Sequence, residues 1–225
     1  QSHDGTTMTR YYIPDSLRNV TILGGNVLRG AFYGCSMLET IVLPESLTSI
    51  GVDAFRECSS LKNLTIPFVG SSKTAKTASA TTLFGWIFGT ASYRNGTPIM
   101  QTFNGTDFTT YYIPANLTSV TVLGGNILYG AFYGVDMITT ANLPEQTSEI
   151  NTIGDYAFYN CITLSTIAIP NCFTEIGAHA FENCANLLAV TMGIGVTDVG
   201  EDAFKEAANV KNVYTSDLPS WSAID

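Results

Sequence analysis

The sequence predicts an α/β, strongly β-dominated solenoid made of repeats of about 23 residues, with one short parallel strand per repeat. Three observations carry the prediction. A long unit occurs twice: between 11–50 and 111–150, 23 of 40 positions are identical. A shorter period runs inside it. Ala-Phe pairs end at Phe32, Phe55, Phe132, Phe158, Phe181 and Phe204, and the steps 32 to 55, 158 to 181 and 181 to 204 are each 23 residues. Between these pairs, apolar residues alternate over short stretches that end in Pro or Gly. One such unit cannot bury its own apolar face, whereas stacked copies bury a continuous core.

The strand of each unit comes from stretches such as Leu38-Glu39-Thr40-Ile41-Val42-Leu43-Pro44, with counterparts at 61–67, 164–170 and 187–193. Their apolar residues stand at near-alternate positions, and Pro or Gly stops the ladder because Pro has no N–H to donate. Next comes Ile50-Gly51, Ile153-Gly154, Ile176-Gly177 or Val199-Gly200, which returns the chain to the Ala-Phe pair. Three residues after Phe stand Cys35, Cys58, Cys161 and Cys184, replaced by Val135 and Ala207 in two repeats. In parallel strands ~4.8 Å apart, Phe stacks on Phe and Cys on Cys. The step from Phe132 to Phe158 is 26, with the extra residues near Glu149-Ile150-Asn151.

The period fails between Phe55 and Phe132. A Ser/Thr/Ala/Lys-rich run, Gly70 to Thr82, leads into Phe84-Gly85-Trp86-Ile87-Phe88-Gly89. This reads as a modified repeat turn, with Phe88 in the Ala-Phe place. Asn95-Gly96 and Asn104-Gly105 are turn signals, so 92–110 is expected to form a loop or β-hairpin projecting from the solenoid. Residues 4–12 match 105–112 in character. With no Met at the first position, the sequence is expected to be a fragment of a longer array. The expected organisation is a single domain over 1–225: a first repeat block at 11–67, a modified repeat with a projecting loop at 68–110, and a second block with a C-terminal cap at 111–225.

Composition narrows the function. The 225 residues carry 10 basic and 19 acidic side chains, a net charge of −9. Nucleic-acid binding is not expected, because phosphate contacts need clustered Lys and Arg. No apolar run reaches the ~18 residues of a membrane span. Charged residues make up 13% and Thr occurs 29 times. Four of the five cysteines share one repeat position and read as small buried hydrophobes, while Cys172 is off-register and reads as a semi-exposed thiol. No C-x-x-C pair indicates structural zinc. The two histidines, His3 and His179, form no Ser-His-Asp or Cys-His set, and the carboxylates make no calcium loop or isolated dyad. No cofactor or metal is expected, nor catalysis.

The pattern L-x-x-I-x-I-P-x-x-L-x-x-I-G-x-x-A-F-x-x-C, matched over 17–67 and 117–214, resembles the BspA-like class of leucine-rich repeats. The segment Val213 to Trp221 also resembles the ends of such arrays. The resemblance implies a leucine-rich-repeat solenoid. It also implies a secreted or cell-surface bacterial protein that works by adhesion, binding a host or microbial protein or glycan. The expected binding surface combines the concave strand face, with Thr65, Thr121, Asn142 and Tyr214, and an aromatic loop with Trp86, Tyr93, Phe103, Phe108 and Tyr112. A structural spacer of a larger surface protein is the alternative, and a glycan-active enzyme a more distant one. The module is expected to act as a monomer, with no nucleic-acid partner and no membrane insertion.

Overall fold

Thr, Ser or Asn alternating with branched apolar residues gives each repeat one wet and one dry strand face. The structure is a computed structural model and describes residues 14, 16–145 and 151–215. Its main sheet is an eight-stranded parallel ladder. The strands are β1 (Asn19–Thr21), β2 (Thr40–Val42), β3 (Asn63–Ile66), β6 (Ser119–Val122), β7 (Thr140–Asn142), β9 (Thr166–Ile169), β11 (Ala189–Met192) and β13 (Asn212–Thr215), paired in that order. Leu64, Val120, Ile167 and Val190 point inward and are buried.

The Ile-Gly segments do more than return the chain. β8 (Asn151–Ile153), β10 (Phe173–Ile176) and β12 (Asp198–Val199) form a second parallel ladder, and single bridges Val27↔Ile50 and Ile127↔Ile153 continue its pattern. The helical part of the expected α/β class is small. Two 3-10 helices, Ala80–Thr82 and Phe84–Ile87, are the only helices among the described residues. The closing segment beyond Thr215, the start of the first block at 11–13 and most of the extra residues near 149 lie outside the described residues.

Phe stacks on Phe as the period requires. Phe132–Phe158, Phe158–Phe181 and Phe181–Phe204 have ring centroids 5.0, 5.1 and 5.2 Å apart, within 9° of parallel. Each turn is locked to the next by its backbone: Phe158 N–H donates to Ala180 O at 2.8 Å and Phe181 N–H to Ala203 O at 2.7 Å. The Cys column is packing. All five cysteines are free, and the thiols of Cys58, Cys161 and Cys184 donate to the Phe carbonyl of an earlier turn, each at 3.2 Å. Cys172 is half-buried and donates to Pro144 O at 3.1 Å.

The insertion acts as a wedge. On the strand side β3 pairs β6 directly, so the insertion adds no ladder strand. On the turn side it adds a layer. Phe88 packs on Phe55 (6.3 Å) and Phe84 on Phe132 (4.8 Å), with Phe84 and Phe88 5.3 Å apart. Phe55 N–H donates to Ile87 O, which puts Phe88 in the Ala-Phe place of its lower neighbour. Phe84 N–H donates to Ala131 O, so Phe84 serves the upper one.

The segment after Phe88 is the antiparallel hairpin β4 (Gly96–Thr102) and β5 (Phe108–Pro114). It reaches past residue 110 to Pro114 and does not project freely. Ile99, Gln101, Thr102, Tyr111 and Ile113 are buried, so one hairpin face packs onto the array.

Candidate functional site: the strand face and the insertion cleft

The outward residues of the main ladder stand in straight columns because every strand pair is in register. One column runs Thr65, Thr121, Asn142, Ala168, Thr191, Tyr214. Three expected site residues are thus direct neighbours, and Asn142 Nδ2 donates to Thr121 Oγ1 at 3.0 Å. Tyr214 closes the column with 58% of its surface exposed. A second column, two residues earlier in each strand, carries Asn63, Ser119, Thr140 and Thr166. Ahead of both lies a short charged row, in which Glu39 takes Lys62 Nζ at 2.8 Å and Arg18 Nε at 3.8 Å. The Lys62 ammonium holds the exposed Glu39 carboxyl below the usual carboxylate range.

The insertion aromatics are distributed over different neighbours. Trp86 is half-buried against the core, with its carbonyl accepting Asp53 N–H and its Nε1 buried without a hydrogen-bond partner. Tyr112 is half-buried, and its N–H donates to Gly89 O. Phe103 is half-buried beside the hairpin turn. Phe108 is exposed at the start of β5 and meets Tyr133 edge-on at 6.0 Å. Tyr93 lines an open cleft of about 440 Å³, together with Gly34, Ser36, Glu57, Ser59, Ser92, Arg94 and Asn95. The Tyr93 hydroxyl is buried without a hydrogen-bond partner, and burial pushes its pKa up. Ser36 and Ser59 stand four residues ahead of the first residues of β2 and β3, so the cleft opens at the N-terminal edge of the ladder.

Two features escaped the sequence reading. Gln101 is fully buried and replaces a missing layer of backbone. Its Nε2 donates to Ala131 O (3.3 Å) and Tyr133 O (3.2 Å), and its Oε1 accepts Gly85 N–H at 2.7 Å. Its place two residues after the buried Ile99 was the available signal. The turn side also carries a row of stacked rings, Tyr133–Tyr159 at 4.8 Å and Tyr129–Tyr156–His179 at 5.4 and 4.6 Å. His179 sits half-buried in this row, with Nδ1 2.5 Å from Glu182 Oε2. Among the described residues, no group of three or more His, Cys, Asp and Glu side chains is arranged to hold a metal ion, and no helix is long and apolar enough to cross a membrane.

A parallel ladder, a stacked Phe column and a 23-residue period define a leucine-rich-repeat solenoid. The chain matches the family described as BspA type leucine rich repeat region in six copies, over residues 7–78 and 99–220, and it belongs to that family. No curated protein matches it. Among solved structures it is similar to a leucine rich repeat protein of T. pallidum, with 21% identity and a TM-score of 0.41, covering 88% of this chain and 62% of that one. It is also similar to a leucine-rich repeat protein from Bacteroides ovatus (20%, TM-score 0.42, 87% and 60%). A leucine rich cell surface protein from Faecalibacterium prausnitzii is a third (20%, TM-score 0.42, 94% and 63%). The chain spans about three fifths of the length of these structures.

Proposed function

We propose that the chain is a non-catalytic recognition module of a secreted or surface-displayed bacterial protein, binding an extracellular protein or glycan through its strand face. The observation that carries this reading is the in-register column Thr65, Thr121, Asn142, extended by Thr191 and Tyr214. It presents uncharged donors and acceptors at the strand spacing of ~4.8 Å on a scaffold already rigid before binding. Many weak contacts then add with little ordering cost. The cleft beside Tyr93 and Arg94, at the N-terminal edge of that ladder, extends the surface. Family membership supports the surface setting.

The test is binding of the purified chain to a panel of matrix proteins and glycans at micromolar concentration. The expected result is one or more binders lost on Thr65→Arg, Thr121→Arg and Asn142→Arg together, with the fold retained by circular dichroism at the binding temperature although adjacent like charges lower the melting temperature. No binder in the panel would favour a spacer. Binding that survives the triple substitution would move the site off the strand face.

A further inference from the structure

The outward positions that flank Phe in each turn do not need rings. The position after Phe holds Arg56, Glu182 or Lys205 in other turns, and the position two before it holds Asp53, His179 or Asp202. The pairs His179–Glu182 and Asp202–Lys205 show how polar side chains fill both places at once. Two successive turns depart from this. They carry Tyr129 and Tyr133 on one and Tyr156 and Tyr159 on the next, and each of the four rings has another within 5.6 Å.

Tyr133 and Tyr159 are the closest tyrosine pair among the described residues, with ring centroids 4.8 Å apart and planes 21° from parallel. Tyr156 stands 5.6 Å from Tyr159, and Tyr129 stands 5.4 Å from Tyr156, both tilted. All four are half-buried, so the stack holds the ring faces while part of each ring stays at the surface. The two turns are fixed against each other at the pair itself. Gly134 N–H donates to Tyr159 O at 2.8 Å, and Phe132 N–H donates to Ala157 O at 2.7 Å. Burial raises the Tyr133 phenol first, then the neighbouring tyrosines and Glu182, so it stays protonated at neutral pH. Oxidation there must remove an electron and a proton together.

We propose that Tyr133 and Tyr159 form an oxidative cross-linking site, at which a one-electron oxidant of the haem-peroxidase class, supplied with hydrogen peroxide, joins two successive turns as dityrosine. Each phenol loses one electron and one proton and becomes a phenoxyl radical. The two radicals pair in a carbon–carbon bond between ortho carbons, and the two ortho hydrogens move to the oxygens as the rings regain aromaticity. One hydrogen peroxide takes up the two electrons and two protons and leaves as two waters. The fold has already brought the reacting groups into contact, so the coupling behaves as an oriented intramolecular step. Tyr129 and Tyr156 widen the target, because a radical formed on either can pass through touching rings to the pair. The bond would close a loop between positions 26 residues apart, restraining the unfolded chain as a disulfide does. All five cysteines are free, so no disulfide supplies that restraint here.

The test treats the purified chain with an equimolar amount of hydrogen peroxide and a catalytic amount of haem peroxidase, then maps the digested monomer by mass spectrometry. The expected result is a monomer lighter by two hydrogens, with dityrosine fluorescence, a linked peptide pair carrying Tyr133 and Tyr159, and a raised melting temperature. Tyr133→Phe and Tyr159→Phe keep the ring stack and remove one phenol. Each should abolish dityrosine in the monomer, with the fold confirmed by circular dichroism. Tyr129→Phe leaves the pair intact and should leave the link unchanged. Dityrosine found only in dimers, a monomer link through Tyr129 and Tyr156 instead, monomer dityrosine that persists in Tyr159→Phe, or no link at all would each overturn the proposal.

Discussion

Gln101 is the polar anchor of the insertion. It is fully buried and serves three backbone groups at once, at the layer where the array loses its regular neighbour. Gln101→Ala strands the Gly85 N–H and the Tyr133 carbonyl. With each orphaned buried group costing ~1–3 kcal/mol, the expected loss is about 2–4 kcal/mol in urea denaturation. Gln101→Glu should be no better, since an ionised carboxylate has no proton for the two carbonyls. Phe158 tests the apolar counterpart. Its ring is held between Phe132 and Phe181 and is 1% exposed, so Phe158→Ala should cost about 3–5 kcal/mol. Stability within ~1 kcal/mol of wild type would contradict a stacked-Phe core.

At the scale of elements, the insertion makes one double demand that single substitutions can separate. Phe88 caps the first block on Phe55, and Phe84 carries the second on Phe132. Both rings are fully buried, and each truncation to Ala is expected to cost about 3–5 kcal/mol. Hydrogen exchange should place the damage differently. Phe88→Ala should loosen the turn at 53–58, and Phe84→Ala the turn at 130–135. Equal loosening of both would mean that the two rings act as one plug. The regular strands and Ala-Phe turns were legible because each repeat states the same pattern several times. The Phe88 assignment was legible for the same reason. The second ladder was missed because Ile-Gly gives only two or three residues, too few to show alternation. The hairpin was among the expectations at 92–110, but its packing onto the array was missed because a strand on a solenoid flank looks, in sequence, like any exposed loop. The strand-face residues Thr65, Thr121 and Asn142 were placed by register alone. The insertion aromatics share only composition, and composition carries no position.

For the whole molecule, repeat stacking buries the same thiol in successive layers, which ties stability to alkaline pH. Burial pushes the Cys184 thiol up to about 12. The Cys58 and Cys161 thiols are also raised, by burial first and then by the neighbouring thiol of the column. Unfolded thiols ionise near pH ~8.5, whereas these stay protonated in the fold. Above that pH the unfolded chain binds fewer protons than the native one, so stability falls as pH rises. The contribution is complete below pH ~8.5 and is lost progressively on the way toward the folded values. Tyrosines whose pKa is raised by burial, Tyr93 and Tyr111 among them, add the same sign of effect from pH ~10 upward. The two ranges separate the causes. Melting temperature should be flat from pH 7 to 8 and fall between 8.5 and 10. Replacing Cys58, Cys161 and Cys184 by Ala, a residue the column already accepts at Ala207, should lower the starting stability but flatten that fall. If the slope between pH 8.5 and 10 is unchanged in the triple variant, the buried thiols are not its source, since the tyrosines act only from pH ~10 upward.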